Sequence, residues 1–309
     1  MSYFLPKNYG PFAEDPTEPP PNEEVEKVRV FLKTGLLKRL KKNGRFYTMG
    51  EDNMSSEPML FDTMKIESKT WLYKLFMNTE WLDTTHIEIG MFYLAIKQFQ
   101  FKLQFPYATC SPYFLEVLKR EHEKILISQS TAEKAAEVSV IENHILGTSW
   151  KYTLSWAESD YVFMPLNTGN HWVLLVLEVK ERKIRVYNSL SRRGESTREI
   201  RQYIPSVQCL LPKIMDIHKV YGDIGEETMG DRKLEVEGVP ECPQQNDGGN
   251  CGMYVLKIAE FLIMGMDINE IDGDDMTMYR EKMTTELILY SKKRTKEMKK
   301  KQQVKTERK

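Results

Sequence analysis

Cysteine is scarce in this chain: 309 residues hold four, Cys110, Cys209, Cys242 and Cys251. None forms a Cys-x-x-Cys pair, and the histidines His86, His122, His144, His171 and His218 include no His-x-x-x-His pair. That spacing argues against a structural zinc site, and no metal or organic cofactor is expected. The opening MSYFLPKNYGPF lacks a basic start and an apolar core, so no secretory leader is expected. No apolar run is long enough to cross a bilayer, so no membrane contact is expected. A reducing compartment follows, nucleus and/or cytoplasm, where thiols persist and one of them can be catalytic. Net charge is also missing: 44 basic against 45 acidic residues leave −1, which is no global signature of polyanion binding.

What is present is a globular composition, 41% hydrophobic and 29% charged, in a length that suits one large domain or two modest ones. Three regions are expected. Residues 1–70 begin with an arm rich in proline (Pro16, Pro19, Pro20, Pro21), read as extended and poorly ordered. An amphipathic helix follows over 23–42, with Val25, Val28, Leu32, Leu36, Leu37 and Leu40 at helical spacing and Asn43-Gly44 ending it. Residues 71–290 are read as the folded domain. Residues 291–309 are read as a solvated, disordered basic tail; nucleic acid, if contacted at all, is expected only there.

Within the central region, Asp83 and its neighbours cap a helix over Ile87–Phe99, and a second helix is expected over Pro112–Leu126. Tyr161–Pro165 reads as a strand. His171–Leu177 is short, continuously apolar and rich in branched residues, which fits a buried central strand. Ile184–Tyr187 alternates as the return strand of a hairpin, helical pieces occupy Ser196–His218, and Leu234–Val239 alternates weakly as a last strand. Cys251–Met264 is apolar nearly all round and reads as a core helix.

Four residues carry chemistry if they meet. Cys251 opens that core helix after the glycine-bearing loop Asn246–Asn250, and a helix N-terminus together with an imidazolium can turn a thiol into a thiolate. Gly252 beside it would let a substrate backbone come close. Taken alone, a cysteine heading a core helix is ordinarily structural. His171 stands at the head of one hairpin strand and Asn188 at the end of its partner, so the two side chains should be neighbours at the open end of the hairpin. A contact there would fix the imidazole tautomer. Gln245, six positions before Cys251, could join the Cys251 backbone N–H in an oxyanion hole.

Together His171, Asn188, Gln245 and Cys251 resemble the ubiquitin-like-protein-specific cysteine proteases, the SUMO/sentrin/NEDD8 protease type. The resemblance rests on Trp81-Leu82-Asp83, Asn170-His171-Trp172-Val173, Tyr187-Asn188-Ser189-Leu190, and Cys242-Pro243-Gln244-Gln245 running on to Asn250-Cys251-Gly252. It implies an α+β fold of the papain-like, SUMO-protease type: a mixed central sheet flanked by helices, with the nucleophile at a helix N-terminus. It further implies Cys251 as nucleophile, His171 as base, Asn188 as orienting group, Gln245 as oxyanion donor, and Trp81 and Trp172 as indole walls of a substrate tunnel too flat for any residue but glycine. The implied reaction is hydrolysis of the peptide or isopeptide bond after the Gly-Gly terminus of a ubiquitin-like modifier, SUMO-type first, with that modifier and its conjugates as partners. The chain departs from the pattern at Asn188 and Asn250, where the family has aspartate, and at Thr84. The Asn188 and Asn250 changes motivate one alternative, a binding module without turnover; a second is an acyltransferase using the same triad, since thioester chemistry permits attack by amines as well as water.

Overall fold

A strand that is apolar at every position but its last needs cover on both faces, and the Trp172–Glu178 strand has it. The computed structural model describes residues 10–12, 15–36, 54–190, 197–222 and 233–307. Among these, a five-stranded mixed sheet forms the centre, in the order β3 (Tyr107–Thr109), β4 (Tyr161–Asn167), β5 (Trp172–Glu178), β6 (Lys183–Tyr187), β7 (Glu235–Gly238). The β4–β5 and β5–β6 pairs are antiparallel; β3–β4 and β6–β7 are parallel. Strand β5 is the middle strand. Trp172, Leu174 and Val176 point into one buried cluster, while Val173, Leu175 and Leu177 point into another.

The first cluster packs the sheet against α2 (Lys69–Phe76), α3 (Thr84–Gln100), α9 (Cys251–Met264) and α10 (Met276–Glu307). The second is covered by α4 (Phe114–Leu126), α5 (Ala132–Ala136), α6 (Ser139–Ile145), α7 (Arg198–Arg201) and α8 (Leu211–Ile217). The expected α+β architecture with flanking helices is therefore what forms. The polar stretch before residue 146 holds the short α5 and α6. Pro212 does not break the helical region after residue 197: it sits in the first turn of α8, where a missing N–H leaves no bond unmade.

Asp83 is the N-cap of α3, its carboxylate accepting from the N–H of Thr85 and of His86. Helix α1 (Asn22–Leu36) buries Val25, Val28 and Leu32 in the core and pairs Arg29 with Glu281 at 2.6 Å. The remainder of the helix expected to reach residue 42, and its Asn43-Gly44 stop, lie outside the described residues. Residues 54–68, given no role from sequence, form a hairpin of β1 (Met54–Leu60) and β2 (Lys65–Ser68).

Both ends differ from expectation where they are described. The proline-rich arm lies on α9 and α10: the Phe12 N–H donates to Glu286, Lys257 donates to the Pro16 carbonyl, and Lys282 to the Glu18 carbonyl. Prolines removed backbone donors from this segment, and side chains of the helices satisfy its carbonyls instead. The basic stretch after residue 291 continues α10 as helix to Glu307. Once the packed turns of α10 have nucleated a helix, extension through lysine, glutamate and glutamine is cheap.

Candidate active site

The β5–β6 register brings the first two residues together. Leu174 pairs with Tyr187, so Val173 lies opposite position 188 and His171 is its diagonal neighbour. His171 Nε2 is 2.8 Å from Asn188 Oδ1, and the Leu190 N–H reaches the same Oδ1 at 3.0 Å. A backbone N–H can only donate, so this atom is the carboxamide oxygen and the imidazole proton sits on Nε2. Nδ1 is left as the basic nitrogen. It is buried and has no hydrogen-bond partner among the described residues. Burial lowers the His171 pKa below the ordinary imidazole value, and the Asn188 bond offsets this in part.

Cys251 is the first residue of α9 and is buried. Burial raises its pKa; the backbone N–H groups of Trp172 and Gly252 and the charge of Arg280 act against that rise. The thiol therefore rests beside the backbone of residue 172, one position along β5 from the unpaired imidazole nitrogen. Burial thus favours the neutral form of both the thiol and the imidazole.

The loop before α9 is braced from three sides. Gln244 donates to the Asn188 and Cys242 carbonyls at 3.0 and 2.8 Å, fastening the loop to the end of β6. Gln245 accepts from the Ser189 hydroxyl at 2.9 Å and donates from Nε2 to the Asp247 carbonyl at 2.8 Å. One N–H of its amide is thus committed to Asp247, and no hydrogen bond joins Gln245 to Cys251 among the described residues. Gly249 lies so close to the α2–α3 connection that a Cβ there would meet the Asn78 carbonyl at 2.8 Å.

Gly252 does not have the role expected from sequence. A Cβ on it would meet Leu82 at 2.9 Å and Ile87 at 3.2 Å, so it admits the Trp81-Leu82-Asp83 segment against α9 rather than a substrate backbone. That segment is also held by Trp172, whose buried indole N–H donates to the Leu82 carbonyl at 2.8 Å. Its neighbour Trp81 is 45% exposed. The Trp172 indole is thus fixed inside the fold, while that of Trp81 reaches the surface.

Arg280, Asp247 and Ser189 were not singled out from sequence. For Arg280 a signal existed: with Met276, Met283 and Leu287 it sits at helical spacing on an apolar stripe, where an arginine needs an explanation. Among the described residues no cluster of three or more metal-ligating side chains occurs, and no helix is long and apolar enough to cross a membrane.

A family model described as the Ulp1 protease family, C-terminal catalytic domain, matches residues 80–295. The chain is similar to Ubiquitin-like-specific protease ESD4 of Arabidopsis thaliana, 28% identical over 116 residues covering 36% of this chain and 20% of that protein. It is also similar to Sentrin-specific protease 2 of Homo sapiens, 23% identical over 141 residues covering 45% and 22% of the two chains. The chain thus spans about a fifth of the length of these relatives. Its fold matches the X-ray structure of the C-terminal Ulp1 protease domain in complex with Smt3, the yeast ortholog of SUMO, with a TM-score of 0.54 at 17% identity over 90% of this chain and 99% of that one. The Ulp1-like SUMO protease catalytic domain of Chaetomium thermophilum gives a TM-score of 0.51 at 16% identity over 90% and 93%.

Proposed function

The chain belongs to the Ulp1 protease family, and on that premise we propose that it is a cysteine peptidase hydrolysing the peptide or isopeptide bond after the C-terminal Gly-Gly of a ubiquitin-like modifier of the SUMO type. The observation that carries this reading is the buried imidazole of His171, its proton fixed on Nε2 by Asn188 and its Nδ1 unpaired, one residue from the backbone against which the Cys251 thiol rests.

The chemistry then runs through these atoms. His171 Nδ1 takes the thiol proton as Cys251 attacks the carbonyl carbon of the second glycine. The developing oxyanion is received by the Cys251 backbone N–H and the second amide N–H of Gln245. The imidazolium returns its proton to the departing amine, leaving a thioester that water hydrolyses with His171 again as base. Trp81 and Trp172 would confine the two glycines, since flat indole walls leave no room for a Cβ.

Asn188 supplies orientation without charge, and a neutral resting pair is what a binding module that does not turn over would also have. A SUMO probe carrying a C-terminal electrophile separates the readings. Covalent labelling that is abolished in Cys251→Ala is the expected result. Absence of labelling with SUMO, NEDD8 and ubiquitin probes alike, with Gly-Gly-dependent binding retained, establishes the binding module instead. A product formed only with an added amine acceptor would point to acyl transfer.

A further inference from the structure

Beneath the loop that leads into α9 lies a guanidinium with no exposed surface. All five of its N–H groups are engaged. Arg280 Nε donates to Asn250 Oδ1 at 2.5 Å, Nη1 to the carbonyls of Lys74 and Leu75 at 2.9 and 3.1 Å, and Nη2 to those of Glu80 and Gly249 at 2.8 and 2.9 Å. None of these partners is a carboxylate. Asn250, the residue before the nucleophile, passes the contact on: its Nδ2 donates to Asp247 Oδ2 at 2.6 Å, while Asp247 Oδ1 accepts the N–H of Gly249 and of Asn250. An asparagine is the side chain that can accept from a cation on one side and donate to a carboxylate on the other.

We infer that Arg280, relayed through Asn250 and Asp247, is the positioning residue of the nucleophile: a buried cation that fixes the first turn of α9 and supplies positive charge beneath the Cys251 thiol. The inference rests on Cys251 being the nucleophile. A purely structural tie needs no charge, and a charge buried without a carboxylate partner is costly. Burial lowers the Arg280 pKa to about 10, with Asp247, Cys251 and Glu80 acting against it, so the group keeps its proton at neutral pH. In return the guanidinium favours the ionised form of Cys251. The charged group acting on the thiol is then Arg280 on α10, which in turn faces Asp247 in the loop and Glu80 before α3, while His171 stands at the head of β5.

The test is the pH profile of Cys251 alkylation by iodoacetamide, read by mass on the peptide containing that cysteine; it needs no modifier, so it stands or falls apart from the proposed substrate. Asn250→Asp sets two carboxylates against each other at the 2.6 Å contact and leaves a net negative charge beside the thiol, where wild type has one carboxylate to one guanidinium. Alkylation at pH 7 should fall about three- to tenfold, with the alkaline plateau unchanged. Adding Asp247→Asn to that variant reverses the donor and acceptor of the pair, keeps every hydrogen bond and restores one carboxylate. The rate should return to within about threefold of wild type. Arg280→Gln should shift the profile upward, and Arg280→Lys, which keeps the charge, should shift it less. Equal shifts in the lysine and glutamine variants, or profiles that superimpose on wild type, would overturn the inference. If neither Arg280 variant folds, failure of the Asp247/Asn250 exchange to recover the rate overturns it.

Discussion

Replacing Asn188 tests the triad at the atom where the geometry is most explicit. Its Oδ1 accepts from His171 at 2.8 Å and from the Leu190 N–H at 3.0 Å, and the side chain is buried. In Asn188→Ala both donors lose their acceptor, at about 1–3 kcal/mol each where no water enters. More important for rate, nothing then fixes the ring orientation or holds its proton on Nε2, so the base is no longer held towards the thiol. A correctly placed general base contributes about 10²–10⁴-fold, so kcat/KM should fall at least about 100-fold, roughly 2.7 kcal/mol of barrier. Asn188→Asp keeps an acceptor in place and replaces the unpaired Nδ2, which has no partner among the described residues, with an oxygen that stabilises the imidazolium. Its rate should stay within about tenfold of wild type. The sign of the pH effect follows from the direction of the shift. Burial lowers the His171 pKa, so the native imidazole stays neutral where an unfolded one, near about 6.5, binds a proton. The associated stability is complete above that value and is lost as pH falls through the folded pKa. The acid limb of kcat/KM therefore lies below that of free imidazole in the wild type and moves to higher pH in Asn188→Asp. The assay is steady-state cleavage of a modifier–fluorophore substrate across pH 5–9, with melting temperatures as a folding control. An alanine variant within about threefold of wild type, or an aspartate variant that is folded yet inactive, would refute the orienting role.

Other substitutions probe the frame around the site. Gly252→Ala drives a Cβ to 2.9 Å from Leu82 and should destabilise the fold by about 1–3 kcal/mol, seen as a lower urea midpoint; an unchanged midpoint would mean that the segment yields freely. Trp172→Phe keeps the ring but leaves the Leu82 carbonyl without its donor, so about 1–3 kcal/mol of stability should be lost and KM should rise more than kcat falls. Away from the site, buried Glu260 contacts Lys97 and Lys257 at 2.9 and 2.7 Å; burial opposes its ionisation, but those two charges prevail and hold its pKa down to about 2. Its stabilisation is whole above pH 4.5 and is lost as pH falls towards 2, and Glu260→Gln should cost about 3–5 kcal/mol at neutral pH by leaving buried ammonium groups unpaired. Equilibrium denaturation at pH 7 and pH 3 checks both statements, since the variant's deficit should shrink in acid.

Sequence exposes whatever is set by short-range spacing. The run Trp172–Leu177 had to be central because no face of it could meet water, and the hairpin it forms with Lys183–Tyr187 sets His171 beside Asn188 by spacing alone. The same reasoning located Cys251 at a helix start, and stopped there. What Gly252 makes room for depends on Leu82, 170 positions earlier (252 − 82), and no local pattern distinguishes a gap for substrate from a gap for another segment. The arm over residues 1 to about 22 read as poorly ordered because its prolines cannot form regular ladders, yet Glu286, Lys257 and Lys282 supply partners for Phe12, Pro16 and Glu18 from elsewhere in the fold. Arg280 is the instructive case. It follows Cys251 by 29 positions (280 − 251), and four of its five contacts are backbone carbonyls, groups that every residue carries and no side-chain motif marks. Its place on an apolar stripe was nonetheless visible. A charged residue there must find partners inside the fold, and in a chain whose candidate nucleophile is buried at the head of a neighbouring helix, the turn leading into that helix is where the partners lie.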